Sequence, residues 1–127
     1  MTDVQRISSG SPFESEMGYC RAVRVDDRIF VAGTSPIWPD GHVDPDVETQ
    51  ARRCLEIIGH ALTEAGASFT DVVRTRVYLV DAGDFDAVAR AHGATFADIR
   101  PANTTLVVAA LLNPAWKLEI EVDAVIT

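Results

Sequence analysis

The residues whose chemistry could matter are concentrated at the C-terminal end of this sequence. Small polar side chains at 103–105 precede a segment in which Glu119, Glu121 and Asp123 alternate with apolar residues. Carboxylates can act as general acids or bases, and amides and hydroxyls can bind a ligand. Three acids on one face of a strand, however, are usually solvated or paired at an interface, and an asparagine after Pro101-Ala102 is usually a turn residue. Both interpretations stay open on residue type alone.

Length and charge bound the function classes. The 127 residues are enough for one domain, 1–127, with a single core, and 47% hydrophobic with 24% charged residues is ordinary globular composition. A formal net charge of -8 argues against nucleic acid as a partner, because phosphate contacts normally require a basic patch. No apolar stretch has membrane-spanning length, so we expect no membrane partner.

Cysteine and histidine usage indicates no metal chemistry. The two cysteines, Cys20 and Cys54, lack Cys-x-x-Cys spacing, which predicts reduced thiols in a cytoplasmic protein. The three histidines, His42, His60 and His92, are scattered, and none has a second ligand at metal spacing. We therefore predict no metal and no other cofactor.

The first half of the chain predicts a strand pair followed by a long helix. Asp26-Asp27 reads as a tight hairpin turn. Asp44 is the predicted helix cap, Pro45 the first helical residue and Gly66 the left-handed residue that ends the helix. Strands are predicted at 4–7, 19–25 and 28–33, a loop at 34–44, and an apolar helical stripe from 47 to 65.

The second half predicts one strand, one helix and two further strands. Residues 70–80 alternate, with Val73, Thr75, Val77 and Leu79 assigned to one face. Asp84 is the predicted cap of a second helix, whose residues Phe85, Val88, His92 and Phe96 recur at intervals of three and four. The C-terminal strands are predicted to be joined by a turn, and Leu118, Ile120, Val122, Ala124 and Ile126 form the apolar face of the last one.

These elements predict an α+β fold with one uncovered sheet face. Two helices can cover only one face of a mixed sheet of about five strands. The other face carries arginines and Tyr78 beside valines, a mixture that suggests a subunit interface.

Five blocks of the sequence resemble, in order, the signature of the Rid (YjgF) family of imine and enamine deaminases. The last block is similar to the family's Pro-Ala-Arg-Ser strand start followed by an Ile-Glu-Ile-Glu strand. The blocks are Tyr19, Ile29–Thr34, Asp46–Arg52, Val77–Asp81 and Arg100–Ile126. The resemblance implies a chorismate-mutase-like domain with two helices on one face. It also implies a homotrimer whose sheets pack together and form inter-subunit clefts.

The resemblance also implies a reaction and the residues that perform it. Water adds to the carbon of a small-molecule imine, and ammonia leaves. Tyr19 and Glu119 carry over as catalytic residues, Gly33 as a substrate-binding residue, and Thr105 lies where many relatives have cysteine. The last of the carried-over positions is Asn103, where the family has the arginine that binds a substrate carboxylate.

Asn103 limits how far the family's chemistry extends to this chain. A neutral amide cannot reproduce a bidentate, charge-assisted arginine–carboxylate pair, and its loss costs roughly 1.5–3 kcal/mol. We therefore expect the substrate to be an imine, enamine or related C=N metabolite other than a simple 2-imino acid. The alternative is a non-catalytic trimer that binds a small metabolite. Endoribonuclease activity, an old family label, fits the acidic charge poorly.

A carboxylated substrate would need a cation from elsewhere in the chain. Arg21 is the preferred candidate, because residues two apart on a strand share a face and Tyr19 is already assigned to the cleft. Arg100 is the second candidate, although Pro101 holds it extended. A solvated surface arginine is the simpler interpretation of both residues.

Overall fold

Six strands form one mixed sheet in the computed structural model, which describes residues 3–127. Neighbouring strands are antiparallel except for one parallel pair at the edge, β4 with β5. The order across the sheet is β1-β2-β3-β6-β4-β5. The strands are β1 (Val4–Ile7), β2 (Ala22–Val25), β3 (Arg28–Thr34), β4 (Val72–Leu79), β5 (Ala102–Val107) and β6 (Leu118–Val125).

Within residues 3–127, three α-helices accompany the sheet, one more than the sequence predicted. They are α1 (Pro12–Met17), α2 (Val47–Glu64) and α3 (Phe85–Phe96). The short α1 has ordinary end signals, since Ser11 caps it, Pro12 begins it and Gly18 ends it at φ 83°. Six residues are too few to produce a helical periodicity that stands out in a polar segment.

The long helix α2 begins two residues later than predicted. Asp46, not Asp44, is its cap, and the Asp46 side chain accepts a hydrogen bond from Thr49 N at 2.9 Å. Asp44 instead accepts from Asp46 N at 2.8 Å, which leaves Pro45 outside the helix. Gly66 follows the helix at φ 86°, as predicted.

The core lies between the sheet and the helices α2 and α3. The predicted alternation of β6 is confirmed, because Leu118, Ile120, Val122 and Ala124 are all buried. From α2 the sheet receives Ala51, Cys54, Leu55, Ile58 and Leu62. Within residues 3–127, no helix is long and apolar enough to cross a membrane.

Two predicted face assignments are wrong at their ends. On β4, Val72 is 3% exposed and Val73 48% exposed, the reverse of the prediction. The cause is a register shift between Val72 and Arg74 where β4 pairs with β6, since an extra residue flips the side chains before it. On α3, Phe85 is exposed at the first turn, so the buried face starts at Val88.

The last two strands are not a hairpin. β4 lies between β5 and β6, and β5 runs parallel to β4. A parallel neighbour needs a crossover connection, and α3 supplies it between β4 and β5. The segment 108–117 then returns the chain past β4 to β6.

The sheet face away from the helices carries charged and apolar side chains. Arg76 lies 3.7 Å from Glu121 and 3.4 Å from Asp123, and the Tyr78 hydroxyl donates to Glu121. On the same face, Phe30 is among the exposed large hydrophobic residues. Burial of this face in a trimer remains a prediction.

Candidate functional site

Four of the predicted site residues lie together around the end of β3. We call Tyr19, Arg21, Gly33, Ser35 and Glu119 the Gly33–Glu119 cluster. Glu119 alternates on β6 with buried Leu118 and Ile120, so its carboxylate projects from the uncovered face. Its Oε1 accepts a hydrogen bond from Ser35 Oγ at 3.1 Å. Ser35 was not predicted from the sequence, because a serine in a Pro-rich loop gives no signal.

Gly33 leaves the space that the Glu119 carboxylate occupies. A Cβ at residue 33 would lie 2.7 Å from Glu119 Oε2, closer than side-chain atoms pack, so any side chain there would displace the carboxylate. The register of β3 against β6 shifts between Val31 and Thr34, and such a bulge redirects the strand at a sheet position near a site. Glycine at residue 33 therefore lets the Glu119 carboxylate lie against the backbone of β3.

Arg21 joins Tyr19 to this bulge. Its Nη2 donates to Gly33 O at 2.7 Å, and its guanidinium carbon lies 5.7 Å from the centre of the Tyr19 ring, within cation–π range. Arg21 is only 8% exposed, so it is not the solvated surface residue that the sequence favoured. Arg100, the second candidate cation, is exposed and lies four residues beyond the end of α3, and its φ of 57° shows that it is not extended as the following proline predicted.

Glu14 is a buried acid near the cluster that sequence reasoning missed. Its carboxylate accepts hydrogen bonds from Ser9 N and Ser9 Oγ, and its backbone oxygen accepts from Tyr19 N at 3.0 Å. Burial alone would raise the Glu14 pKa, but the serine hydrogen bonds and the charge of Arg21 hold it below the ordinary value. Glu14 thus fixes the segment that carries Tyr19 and Arg21.

Asn103 and Thr105 lie in a second group, on the opposite face of the sheet. Asn103 Nδ2 donates to the hydroxyl of Thr75, its register partner on β4, at 3.0 Å. Thr105 Oγ donates to Asn103 Oδ1 at 2.9 Å. β4 lies between β5, which carries this group, and β6, which carries Glu119, so one chain does not bring the two groups together.

His92 completes the Asn103 group. Its Nε2 lies 2.9 Å from Thr75 Oγ, and burial lowers its pKa below the ordinary value. Because Asn103 already donates to Thr75, the hydroxyl proton of Thr75 is free to donate to a neutral His92 Nε2. The side-chain amide of Asn103 thus has both groups in hydrogen bonds, its nitrogen with Thr75 and its oxygen with Thr105.

The pH dependence of stability should report this arrangement. The unfolded chain binds a proton at His92 near pH 6.5, whereas the folded chain binds it only at lower pH. The stabilisation is complete above pH 6.5 and decreases as the pH falls, by at most about 1.4 kcal/mol per pH unit. We expect the free energy of unfolding, measured with denaturant between pH 7 and 5, to change less per pH unit in His92→Gln than in the wild type. Substitution of the exposed His60 by glutamine is the control, and an unchanged pH dependence in His92→Gln would contradict a neutral, half-buried His92.

No group of three or more metal-ligating side chains occurs among residues 3–127. Cys20 and Cys54 are free thiols, and burial raises the pKa of Cys54 far above its ordinary value. Cys54 is thus a core residue, as its place on the helical stripe predicted.

The order of elements and the site together define a chorismate-mutase-like α+β domain with a carboxylate on its uncovered sheet face. The Endoribonuclease L-PSP family, also called the YjgF family, matches residues 10–126, and the chain belongs to it. An uncharacterised protein of Streptomyces coelicolor is 39% identical over 95% of this chain and 91% of its own length. The 2-iminobutanoate/2-iminopropanoate deaminase of Capra hircus is 37% identical over 96% of this chain and 90% of its own length.

A solved structure is similar throughout the chain. It is that of a YjgF/YER057c/UK114 family member from Mycobacterium tuberculosis, with a TM-score of 0.91 and 40% identity. The match covers 98% of this chain and 100% of that one. The predicted family and fold are thereby confirmed.

Proposed function

We propose that this protein hydrolyses the C=N bond of a reactive imine, or of the imine tautomer of an enamine, at the Gly33–Glu119 cluster. The observation that carries the proposal is the Glu119 carboxylate, held by Ser35 and packed against a glycine that leaves room beside it. A positioned carboxylate can take a proton from water and return it to a leaving group. Relatives named as imine deaminases support this class of reaction.

The reaction balances with water as the only co-reactant. Glu119 accepts a proton as the water oxygen bonds to the imine carbon and the C=N π electrons move to nitrogen. The protonated Glu119 then donates to that nitrogen. Glu119 then transfers the proton of the new hydroxyl to the amino nitrogen as the C–N bond breaks, which gives a carbonyl compound and ammonia and leaves Glu119 ionised again. The Tyr19 hydroxyl would hydrogen-bond the substrate, an assignment that follows from the family motif.

The proposed substrates are C=N compounds other than simple 2-imino acids. The support for this narrower proposal is that Asn103 has no charge and that its amide already bonds Thr75 and Thr105. A substrate carboxylate placed at residue 103 would therefore gain no charge-assisted pair.

The proposal is tested by turnover. Imines with and without a carboxylate are generated in situ by an amine or amino-acid oxidase, and ammonia release is followed against the spontaneous rate. We expect a catalysed rate that is proportional to protein concentration. Saturable binding of the carbonyl products without any catalysed rate would contradict hydrolysis and favour the non-catalytic binding protein.

The protein is further expected to be a homotrimer. The uncovered sheet face exposes Phe30 and Val73 beside its charged residues, and a neighbouring chain can bury both. Burial of apolar surface contributes about 25 cal/mol per Å². Light scattering at micromolar concentration should give three times the mass of 13.8 kDa, and Phe30→Glu should lower it. A monomer mass for the wild type would remove any site that needs two subunits.

A further inference from the structure

Arg21 is a buried cation whose hydrogen-bonding capacity is only partly used. Its Nη2 donates to Gly33 O, but its Nε is buried and has no acceptor within the described residues. Among residues 3–127 no carboxylate forms an ion pair with it within 4.0 Å. A buried donor without an acceptor destabilises the fold, and a ligand that supplies the acceptor would remove this cost.

One end of the guanidinium reaches the protein surface. Nη1 makes no hydrogen bond within residues 3–127, and it is not one of the buried unpaired atoms, so it is accessible to solvent. The rest of the side chain is fixed by Gly33 O and by the Tyr19 ring. The cation is therefore held in place and presents a nitrogen beside the same glycine that contacts Glu119.

The charge of Arg21 is balanced at a distance rather than neutralised by contact. The charge of Arg21 helps to lower the pKa of Glu14, but the Glu14 carboxylate is hydrogen-bonded to Ser9 and forms no ion pair with Arg21. The acids Glu121 and Asp123 of β6 pair with Arg76. The positive charge of Arg21 is thus available to attract and bind an anionic group of a ligand.

We propose that Arg21 binds a carboxylate of the substrate, an inference that rests on the proposed hydrolysis at the Gly33–Glu119 cluster. The planar guanidinium matches a carboxylate in geometry and stays charged at any physiological pH. Arg21 Nη2 bonds the carbonyl oxygen of Gly33, and the Glu119 carboxylate lies against the Cα of the same residue, so one small substrate could place its acid at Arg21 and its C=N carbon at Glu119.

Binding of product-like oxo acids tests the proposal. Isothermal titration calorimetry is run with 2-oxobutanoate and 4-oxopentanoate and with their neutral amides. For at least one acid we expect at least tenfold tighter binding than for its amide. Arg21→Gln should remove that preference while changing amide affinity less than twofold, and Arg21→Lys should keep part of it. The exposed Arg52→Gln is the control and should leave all affinities unchanged.

Two results would overturn the proposal. In the first, the wild type shows no preference for either acid over its amide. In the second, Arg21→Gln weakens acid and amide equally, as loss of a purely structural support for Gly33 would. If the Arg21 variants do not fold, wild-type crystals soaked with the preferred acid decide the question. A carboxylate within hydrogen-bonding distance of the guanidinium supports the proposal, and a carboxylate bound elsewhere overturns it.

The ammonia-release assay separates this inference from the proposed function. Catalysed hydrolysis of neutral imines with no acid preference in binding means that hydrolysis stands and the Arg21 site does not. An acid preference that depends on Arg21, without catalysed hydrolysis of any imine, means that the carboxylate site stands and hydrolysis does not.

Discussion

Glu119→Gln is expected to lower the catalysed rate of C=N hydrolysis by about 10²- to 10⁴-fold, the usual contribution of a general acid–base group. Glutamine keeps the shape and can still accept from Ser35 Oγ, but it cannot take a proton from water at neutral pH. The fold should survive, because Glu119 is half-buried and lies outside the apolar core. Ammonia release under saturating imine measures the effect.

Glu121→Gln is the matched control for this variant. Glu121 lies two residues further along β6 on the same face, where it accepts from Tyr78 and pairs with Arg76. It has the same charge without the Gly33 contact, so its loss should not reduce turnover by acid–base chemistry. A catalysed rate for Glu119→Gln within threefold of the wild-type rate would show that Glu119 is not the general acid–base group.

Asn103→Arg is expected to raise hydrolysis of 2-iminobutanoate relative to the wild type. An arginine at this position resembles the family pattern and can form a charge-assisted pair with the carboxylate, worth about 1.5–3 kcal/mol. That range corresponds to a gain of roughly 10- to 150-fold in kcat/KM. The wild-type rate on this substrate should be correspondingly low. The measurement is the release of 2-oxobutanoate with the imine generated by a dehydratase.

Two comparisons isolate the added charge. Asn103→Ala removes the bonds to Thr75 and Thr105 without adding a cation, so it should give no gain. Thr104→Arg adds the cation one residue along β5, on the opposite face of that strand. A neutral imine should be hydrolysed at similar rates by all of these variants. Equal rates on 2-iminobutanoate for the wild type and Asn103→Arg would show that Arg21 or another cation already binds the carboxylate of a simple 2-imino acid, which would contradict the proposed exclusion of these substrates.

The Asn103 group shows what a motif comparison can miss. The sequence identified residue 103 as the position where the family's arginine is absent, and the structure gives the asparagine a different task. Thr75 on β4 is 28 positions from Asn103 in the chain, and only packing brings its hydroxyl to the Asn103 amide and to His92 of α3. The position of His92 on an apolar helix stripe predicted a packed side chain. It could not predict that His92 Nε2 would lie within hydrogen-bonding distance of the Thr75 hydroxyl.

Local patterns were enough to predict most of the fold, because each reports a short-range preference. The alternation of β6, the apolar stripe of α2 and the glycine after it are confirmed, since burial on one face fixes a period of two or about 3.6 residues. The errors arose where two local signals competed. Asp44-Pro45 and Asp46 are both plausible helix starts, and the Asp46–Thr49 hydrogen bond decides between them. The bulge at Val73 exists only in relation to β6.

The sequence by itself therefore determined the family, the fold class and the identity of the candidate acid. Only the tertiary structure decided that Arg21 is buried against Gly33, that Glu14 and Ser35 hold the surroundings of the site, and that β4 separates β5 from β6. The physical reason is that strand order and side-chain partners depend on contacts between segments far apart in the chain. Such contacts leave no periodic trace in the residues that make them.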